Sequence, residues 1–264
     1  MDLQLNGKLA LVSGSTAGIG FAIANALARE GARVIVNGRT DERVHGAMQR
    51  IRAHNPNAQL EPFPADLGGA TGAERVLQRF PEVDVLVNNL GIFEPKPFEE
   101  ISDAEWLRFF EVNVMSGVRL SRAYLPRMKS RNWGRIVFIS SESGLQIPAE
   151  MIHYGVTKTA QIAVARGIAE TCAGTGVTCN AVLPGPTASE GVNDFVGALA
   201  QQGGQTRDQV EKEFFEKARP SSLLKRFASP EEVAAMVVFI CSPLSSATNG
   251  AAVRVDGGVV RSPF

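Results

Sequence analysis

The first regular unit of this chain is encoded by Leu9-Ala10-Leu11-Val12-Ser13-Gly14-Ser15-Thr16-Ala17-Gly18-Ile19-Gly20. Its apolar start is typical of a buried β-strand, and the pattern from Ile19 to Glu30 is typical of a helix. The three glycines between them permit positive φ angles and a close approach of backbone to a phosphate. The helix N-terminus adds free N–H groups. The spacing differs from the commoner G-x-G-x-x-G, and glycines alone also fit an ordinary turn, but the position after a first strand favours nucleotide binding.

Strand-like and helix-like segments alternate over the rest of the chain, which indicates consecutive βαβ units. The pattern predicts an α/β, Rossmann-type fold: a doubly wound, seven-stranded parallel sheet with helices on both faces, forming a single domain over residues 1–264. One connection is too long for this pattern. Residues 189–227 contain Gly203-Gly204 and many charges. A connection of this length in a compact domain is usually either a lid over a functional site or disordered. We therefore expect a substrate-binding lid there.

The composition disfavours several classes of protein. Lys plus Arg and Asp plus Glu both number 27 among 264 residues, so the net charge is zero, and nothing favours nucleic acid or an anionic membrane surface as a partner. The cysteines, Cys172, Cys179 and Cys241, lack metal-ligand spacing, and free thiols fit a reducing compartment. There is no signal-like N-terminus and no apolar run of about 18 residues. We expect a cytoplasmic protein that binds neither metal nor membrane.

Two residues that suit proton transfer, Tyr154 and Lys158, lie four positions apart and therefore on one face of a helix. A phenol titrates near about 10, and a nearby ammonium lowers that pKa because it favours the phenolate. Upstream, Ile136-Val137-Phe138-Ile139 predicts a buried strand that brings Ser141 to a strand end, where α/β sheets bind ligands. Taken alone, the Tyr–Lys spacing is also that of ordinary helix-surface neighbours, and Ser141 is also typical of a turn or cap.

Several ordered motifs together resemble the short-chain dehydrogenase/reductase family, in its short, single-domain branch. They are Ser13 to Gly20 in the first loop, Asn88-Asn89-Leu90-Gly91, Pro184-Gly185 after the sixth strand, and Val255-Asp256-Gly257-Gly258. Leu90 departs from the family's usual alanine. The resemblance spans essentially the whole chain. It implies hydride transfer between a nicotinamide cofactor and a ketone or secondary alcohol, similar to carbonyl reductases of the 3-oxoacyl-(acyl carrier protein) reductase kind.

The family's four catalytic positions match Asn113, Ser141, Tyr154 and Lys158. By this resemblance, Tyr154 exchanges a proton with the substrate oxygen. Lys158 lowers the tyrosine pKa and binds the nicotinamide ribose. Ser141, or alternatively Ser140, hydrogen-bonds the carbonyl oxygen. Asn113 lies in the middle of a predicted helix, where asparagine is disfavoured, so we expect a local irregularity there that holds a water of a proton relay.

The resemblance also implies a cofactor site. Asp66 would bind the adenine amino group, with a helix cap as the alternative, and Thr187 would bind the nicotinamide carboxamide, with Ser189 as the alternative. The expected cofactor-binding residues are Gly14, Ser15, Thr16, Gly18, Ile19, Gly20, Asn37, Gly38, Arg39, Asp66, Leu67, Asn89, Gly91, Tyr154, Lys158, Pro184, Gly185 and Thr187.

The end of the second predicted strand indicates NADP(H) rather than NAD(H). An NAD-binding unit usually has an acid there, which accepts a hydrogen bond from the ribose 2′-hydroxyl. That position is Gly38 here, and Arg39 follows it. A guanidinium binds a 2′-phosphate through charge-assisted hydrogen bonds, and Asn37 and Ser15 are further candidate donors. The alternative is that Arg39 is an ordinary solvated charge.

Apolar residues near the catalytic positions are candidate substrate contacts. With Ser141, the expected set is Phe93, Leu145, Ile147, Met151 and Phe195. The helix after Tyr154 is apolar on more than one face, which predicts that it packs against another subunit together with the helix around 103–129. The family resemblance suggests a homotetramer.

Two other functions stay open at this point. An NAD-dependent alcohol or steroid dehydrogenase that works oxidatively would use the same residues, and a catalytically silent nucleotide-binding regulator would use the same fold. The complete Asn-Ser-Tyr-Lys set disfavours the regulator, because a pure binding module does not need the tyrosine. Enoyl reduction is disfavoured because that relative spaces its tyrosine and lysine more widely.

Overall fold

The computed structural model describes residues 1–263, apart from the side chains of Asp194, Phe195, Ala198, Leu199 and Gln202. Its strands are β1 (Leu9–Val12), β2 (Arg33–Gly38), β3 (Leu60–Pro64), β4 (Val85–Asn88), β5 (Gly134–Ile139), β6 (Val177–Pro184) and β7 (Ala252–Val255). Its α-helices are α1 (Gly18–Arg29), α2 (Asp41–His54), α3 (Ala70–Arg79), α4 (Asp103–Phe110), α5 (Ser116–Ser130), α6 (Ile152–Thr171), α7 (Glu190–Gly203), α8 (Arg207–Glu213) and α9 (Pro230–Cys241).

The seven strands form one sheet in the order β3-β2-β1-β4-β5-β6-β7, and every pairing is parallel. The strand order reverses between β1 and β4. In doubly wound folds, ligands bind in the crevice at this point, outside the carboxyl ends of the strands. The predicted doubly wound, seven-stranded sheet is confirmed.

Two apolar layers hold helices on opposite faces of the sheet. On one face, Ile23, Val44 and Val237 bring α1, α2 and α9 into a single buried cluster. On the other face, Val76 and Leu120 do the same for α3 and α5, and α6 joins this second cluster. Every residue of β5 and β6 is buried, as expected for central parallel strands that are covered on both sides.

The helix predicted over 103–129 is interrupted at its middle. A π-helical turn, Glu111–Met115, separates α4 from α5. Such turns shift the register of side chains and often occur at functional sites. Here the turn contains Asn113, so the irregularity expected from the sequence at this residue is confirmed.

Residues 189–227 contain α7, α8 and a second π turn, Phe214–Ala218. Val196, Ala200 and Val210 form a small buried cluster of their own, with Val192 and Phe227 packed against it. Among the described side chains, this cluster is separate from the two cores of the sheet. None of the helices in the described part of the chain combines the length and the apolarity needed to cross a membrane.

Candidate active site

The loop after β1 offers backbone to the crevice. Gly14 and Gly18 have φ angles of +64° and +54°, which favour glycine. A Cβ atom at Gly20 would lie 2.4 Å from the carbonyl oxygen of Gly14, so a larger residue would push the helix away from the loop. No side chain caps the N-terminus of α1, and its first N–H groups are therefore available to an anion. This geometry suits a pyrophosphate.

Asn89, which directly follows β4, hydrogen-bonds the glycine loop after β1. Its Nδ2 donates to the carbonyl oxygens of Ser13 at 3.0 Å and Gly14 at 3.2 Å. Two residues further on, a Cβ atom at Gly91 would lie 3.3 Å from Lys158 Nζ. Both positions therefore serve the site by shaping it: Asn89 fixes the loop and Gly91 leaves room for the lysine.

The end of β2 corrects part of the expected phosphate site. Asn37 Nδ2 donates to the carbonyl oxygens of Phe63 and Ala65, both at 3.0 Å, and its Oδ1 accepts from the N–H of Gly14. Ser15 is fully buried, and its Oγ accepts from the N–H of Asn37 at 2.9 Å. Neither side chain is free to bond a phosphate, because both tie the glycine loop and β3 to β2.

Other residues at this end of β2 keep their expected places. Arg39 is exposed, and its side chain makes no hydrogen bond or ion pair within residues 1–263. A Cβ atom at Gly38 would lie 2.4 Å from Thr16 Cγ2, so Thr16 lies directly beside the position where an NAD-binding protein carries its acid. Thr16 and Arg39 thus flank the candidate 2′-phosphate position.

The remaining candidate cofactor contacts fall into two groups. Asp66 is exposed, with Oδ1 accepting from the N–H of Gly68 at 2.8 Å, whereas Leu67 is buried in the core. The side chain of Leu67 thus faces away from a cofactor, and a contact through its backbone stays a prediction. Thr187 donates to the carbonyl oxygen of Gly185 at 2.9 Å, and Ser189 lies against Gly18. Both of these residues line the cavity described next, along with Ile19 and Pro184.

A cavity of about 860 Å³ opens at the carboxyl ends of the central strands, and Ser141, Tyr154 and Lys158 line it together. β5 delivers the serine, and α6 carries the tyrosine and lysine one turn apart. The hydrogen bonds of the two candidate serines differ. Ser140 Oγ donates to the carbonyl oxygen of Lys158 at 2.7 Å, whereas Ser141 Oγ donates to Glu142 Oε2 at 2.5 Å.

The environment shifts the titration of both helix residues. Lys158 is only 4% exposed, its Nζ donates to the carbonyl oxygen of Ile139 at 2.9 Å, and burial lowers its pKa to about 7 although Glu142 opposes this. Burial, followed by the charge of Glu142, raises the pKa of Tyr154. Desolvation dominates both shifts, and the expectation that Lys158 lowers the tyrosine pKa stays a prediction.

The Asn113 side chain hydrogen-bonds both the loop after β4 and helix α6. Its Oδ1 accepts from the N–H of Ile92 at 2.8 Å, and its Nδ2 donates to the carbonyl oxygen of Ile92 and to Thr157 Oγ1. The Asn113 carbonyl accepts from Gln161 Nε2 at 2.6 Å. This bond occupies one lone pair of the carbonyl and leaves the other for the predicted water of a proton relay, which stays a prediction.

The substrate contacts expected from the sequence are placed unequally. Phe93 and Met151 line the cavity, and the Phe93 ring packs edge-on against Tyr154 at 6.3 Å. Leu145 and Ile147 are 46% and 43% exposed and lie outside the cavity wall, because the turn after Ser141 leads the chain away from it. The side chain of Phe195 lies outside the described residues.

Sequence reasoning missed much of the cavity wall. The residues that it did not single out include Val192, Val196, Val210, Phe214 and Phe227 from the 189–227 segment, and the charged side chains Glu142, Glu150 and Arg219. Only Glu142 had a local signal, its position next to Ser141. No cluster of three or more metal-ligating side chains occurs among the residues that the structure describes.

Comparison with known proteins gives consistent matches over the whole chain. Residues 14–260 match the family model described as enoyl-(acyl carrier protein) reductase. The uncharacterized oxidoreductase YvaG of Bacillus subtilis (strain 168) is 50% identical, and the match covers 100% of both chains. The 3-oxoacyl-[acyl-carrier-protein] reductase FabG of Aquifex aeolicus (strain VF5) is 33% identical, with 98% of this chain and 100% of the relative covered.

Solved structures give the same result. The crystal structure of L-sorbose reductase from Gluconobacter frateurii, complexed with NADPH and L-sorbose, is similar with a TM-score of 0.92. The two sequences are 30% identical, and the match covers 99% of this chain and 100% of the reductase.

Proposed function

The chain belongs to the short-chain dehydrogenase/reductase family of oxidoreductases, and on that basis we propose that it uses NADPH to reduce a ketone or 3-oxoacyl group to a secondary alcohol. The observation that carries the proposal is the convergence of Ser141, Tyr154 and Lys158 in one cavity beside the glycine loop. The names of two relatives, a 3-oxoacyl reductase and an NADPH-complexed sorbose reductase, support the same direction.

The side chains provide acid–base chemistry and positioning. Because its pKa is raised, Tyr154 is protonated at neutral pH and is ready to donate its phenolic proton to a carbonyl oxygen. Ser141 lines the same cavity and would hold the substrate oxygen next to that phenol. Lys158, whose Nζ donates to the carbonyl oxygen of Ile139, would bind the ribose hydroxyls of the cofactor. Bound NADPH supplies the hydride.

The residues present fit this cofactor. The Gly14–Gly20 loop leaves room for a pyrophosphate at the free N-terminus of α1. The end of β2 carries no acid, and Arg39 is unpaired in the described structure, so a 2′-phosphate meets attraction there rather than repulsion. Thr16 replaces Asn37 and Ser15 as the second candidate donor.

The first prediction concerns Tyr154→Phe, which removes one hydroxyl and keeps the ring. We expect kcat for ketone reduction to fall by about 10²- to 10⁴-fold, the usual contribution of a general acid, while the Kd for NADPH changes little. Tyr124→Phe is the matched control, since its hydroxyl bonds the carbonyl oxygen of Phe80 inside the core and lies away from the cavity. More than about a tenth of the kcat left in Tyr154→Phe would contradict the assignment.

The same assay separates the rival activities. The assay compares the rate of NADPH oxidation with a 3-oxoacyl thioester, a simple ketone and an enoyl thioester. The reverse direction is measured as reduction of NAD⁺ by a secondary alcohol. Turnover of the enoyl thioester alone would favour the activity after which the matching family model is named. No turnover with any carbonyl, despite tight NADPH binding, would favour the nucleotide-binding regulator.

The second prediction concerns Arg39→Leu. A charge-assisted contact with an exposed phosphate is worth about 1.5–3 kcal/mol, so the preference for NADPH over NADH in kcat/KM should fall by roughly 10- to 150-fold. The loss should appear with NADPH and not with NADH. Arg52→Leu removes another exposed arginine from α2 and should leave the ratio unchanged. Gly38→Asp, which would restore the acid of an NAD-binding unit, is unsuitable because its Cβ would clash with Thr16 Cγ2 at 2.4 Å. Equal kcat/KM values for the two cofactors in the wild type would overturn this assignment.

We further propose that residues 189–227 form the substrate-binding lid. Support comes from their share of the cavity wall and from the ion pair between Glu190 of α7 and Arg43 of α2, 3.8 Å apart across the cofactor crevice. Amide hydrogen exchange should show low protection of this segment in the free protein and higher protection with NADPH and ketone bound. Uniformly high protection without ligand would argue against a lid.

We also propose a homotetramer in the cytoplasm. Leu107 and Phe110 of α4 and Val156 of α6 are 71%, 44% and 43% exposed, which leaves apolar surface on both predicted interface helices. Light scattering at micromolar concentration should give about four times the 28.2 kDa chain mass, and a monomer would refute the interface.

The three free, buried cysteines support the proposed cytoplasmic location, because free thiols persist in a reducing compartment. Recovery of the protein from the secreted fraction of its cells would contradict this location.

A further inference from the structure

A charged side chain that the proposed chemistry does not use lies next to the catalytic serine. Glu142 is 5% exposed and begins the 3₁₀ turn that follows Ser141. A buried carboxylate is unfavourable unless it is paired. Its partner is Arg219, 8% exposed, whose Nε lies 3.2 Å from Glu142 Oε1. Arg219 follows directly after the Phe214–Ala218 turn, so the pair connects the 189–227 segment to the catalytic centre.

The hydroxyl of Ser141 has one proton and two competing acceptors. Its Oγ lies 2.5 Å from Glu142 Oε2, to which it donates, and it accepts from the N–H of Ser143 at 3.1 Å. The phenol oxygen of Tyr154 is the second acceptor, and a hydrogen bond from Ser141 lowers the pKa of Tyr154. An ionised carboxylate is a stronger acceptor than a phenol. While Glu142 holds the Ser141 proton, the Tyr154 phenolate has no donor in Ser141, and the protonated phenol is favoured.

We propose that Glu142, held by Arg219, is a positioning residue that keeps the Ser141 proton away from Tyr154 and so favours the protonated phenol that carbonyl reduction needs. The inference rests on the proposed function, because it assigns the effect to the reduction direction. Glu142 acts through Ser141 and through its charge, and has no contact with the reacting carbon in this role.

The charge of Glu142 also favours the protonated form of Tyr154 directly. Burial is the main cause of the raised pKa of Tyr154 and the charge of Glu142 adds to it, whereas a hydrogen bond from Ser141 and, to a smaller extent, the charge of Arg219 oppose it. Glu142 also favours the charged form of Lys158. The other group facing the pair is Glu150, whose Oε1 lies 3.1 Å from Arg219 Nη1. Arg219 is thus shared by two carboxylates, and only Glu142 reaches the catalytic serine.

Glu142→Gln tests the proposal because it keeps the shape and an acceptor oxygen but removes the charge. Without that charge the phenolate is less disfavoured, so the pKa of Tyr154 should fall, by about one unit for a charge at this range. In the complex with NADP⁺, ultraviolet phenolate absorbance should appear at lower pH than in the wild type. The chain has two tyrosines, so subtraction of the Tyr154→Phe titration isolates the signal of Tyr154.

Kinetics supply the second readout. The alkaline limb of kcat/KM for ketone reduction and the rising limb for alcohol oxidation should both move to lower pH in Glu142→Gln. Glu142→Asp keeps the charge and should stay near the wild-type pH. Glu150→Gln removes the other carboxylate on the same arginine without contact to Ser141, so its pH limbs should coincide with those of the wild type whatever its rate.

If Glu142→Gln does not fold, the double variant Glu142→Gln/Arg219→Met removes both buried charges, a change that proteins often tolerate. Its titration should move in the same direction by less, because Arg219 opposes Glu142 at Tyr154. An unchanged phenolate titration, or an equal loss of rate at every pH, overturns the proposal. Absence of carbonyl reduction in the wild type would instead contradict the proposed function, and the titration would still decide the role of Glu142.

Discussion

The hydrogen bond from Lys158 Nζ to the carbonyl oxygen of Ile139 is the contact on which the site depends. It fixes the end of β5 to the first turns of α6, and Ser140 adds a second bond between the same two elements. Ser141 lies two residues after the end of this strand, and Tyr154 lies one turn before the lysine on the helix. The relative position of these two proposed catalytic residues is therefore set by the two bonds between elements of the core.

The buried position of the lysine has an electrostatic consequence. Removal from water lowers the pKa of Lys158 to about 7, a change on the order of several kcal/mol at about 1.36 kcal/mol per unit. The same burial raises the pKa of Tyr154. Both groups are thus driven towards their neutral forms, and the nearby charges of Glu142 and Arg219 determine the remaining balance. A protonated phenol at neutral pH suits reduction better than oxidation, in agreement with the direction that we propose.

Residues 189–227, which form part of the cavity wall, are packed differently from the residues on the sheet side of the cavity. The proposed catalytic residues are fixed to the sheet by bonds between buried elements, whereas the described side chains of residues 189–227 include a small apolar cluster separate from the two cores of the sheet. Weakly packed segments of this sort open at lower free energy than the core. The buried ion pair of Arg219 and Glu142 joins this segment to the turn that begins beside Ser141, so the position of the segment and the hydrogen bonds of Ser141 are physically connected.

The sequence by itself determined the features that arise from short-range periodicity. The strand–glycine loop–helix unit, the alternation of strands and helices, the seven-stranded parallel sheet and the placement of Tyr154 and Lys158 on one helix face all follow from spacings of two to four residues. The irregularity at Asn113 was also predictable, because asparagine is unfavourable inside a helix. What the tertiary structure alone decided are contacts between residues far apart in the chain. Asn37 and Ser15 are engaged by the neighbouring strand and loop, Leu145 and Ile147 turn out of the cavity, and Gln161 binds the Asn113 carbonyl across 48 residues. Glu142 and Arg219 are 77 residues apart. Local pattern leaves such pairs undetermined, because their meeting depends on the register of strands and the path of the connections between them.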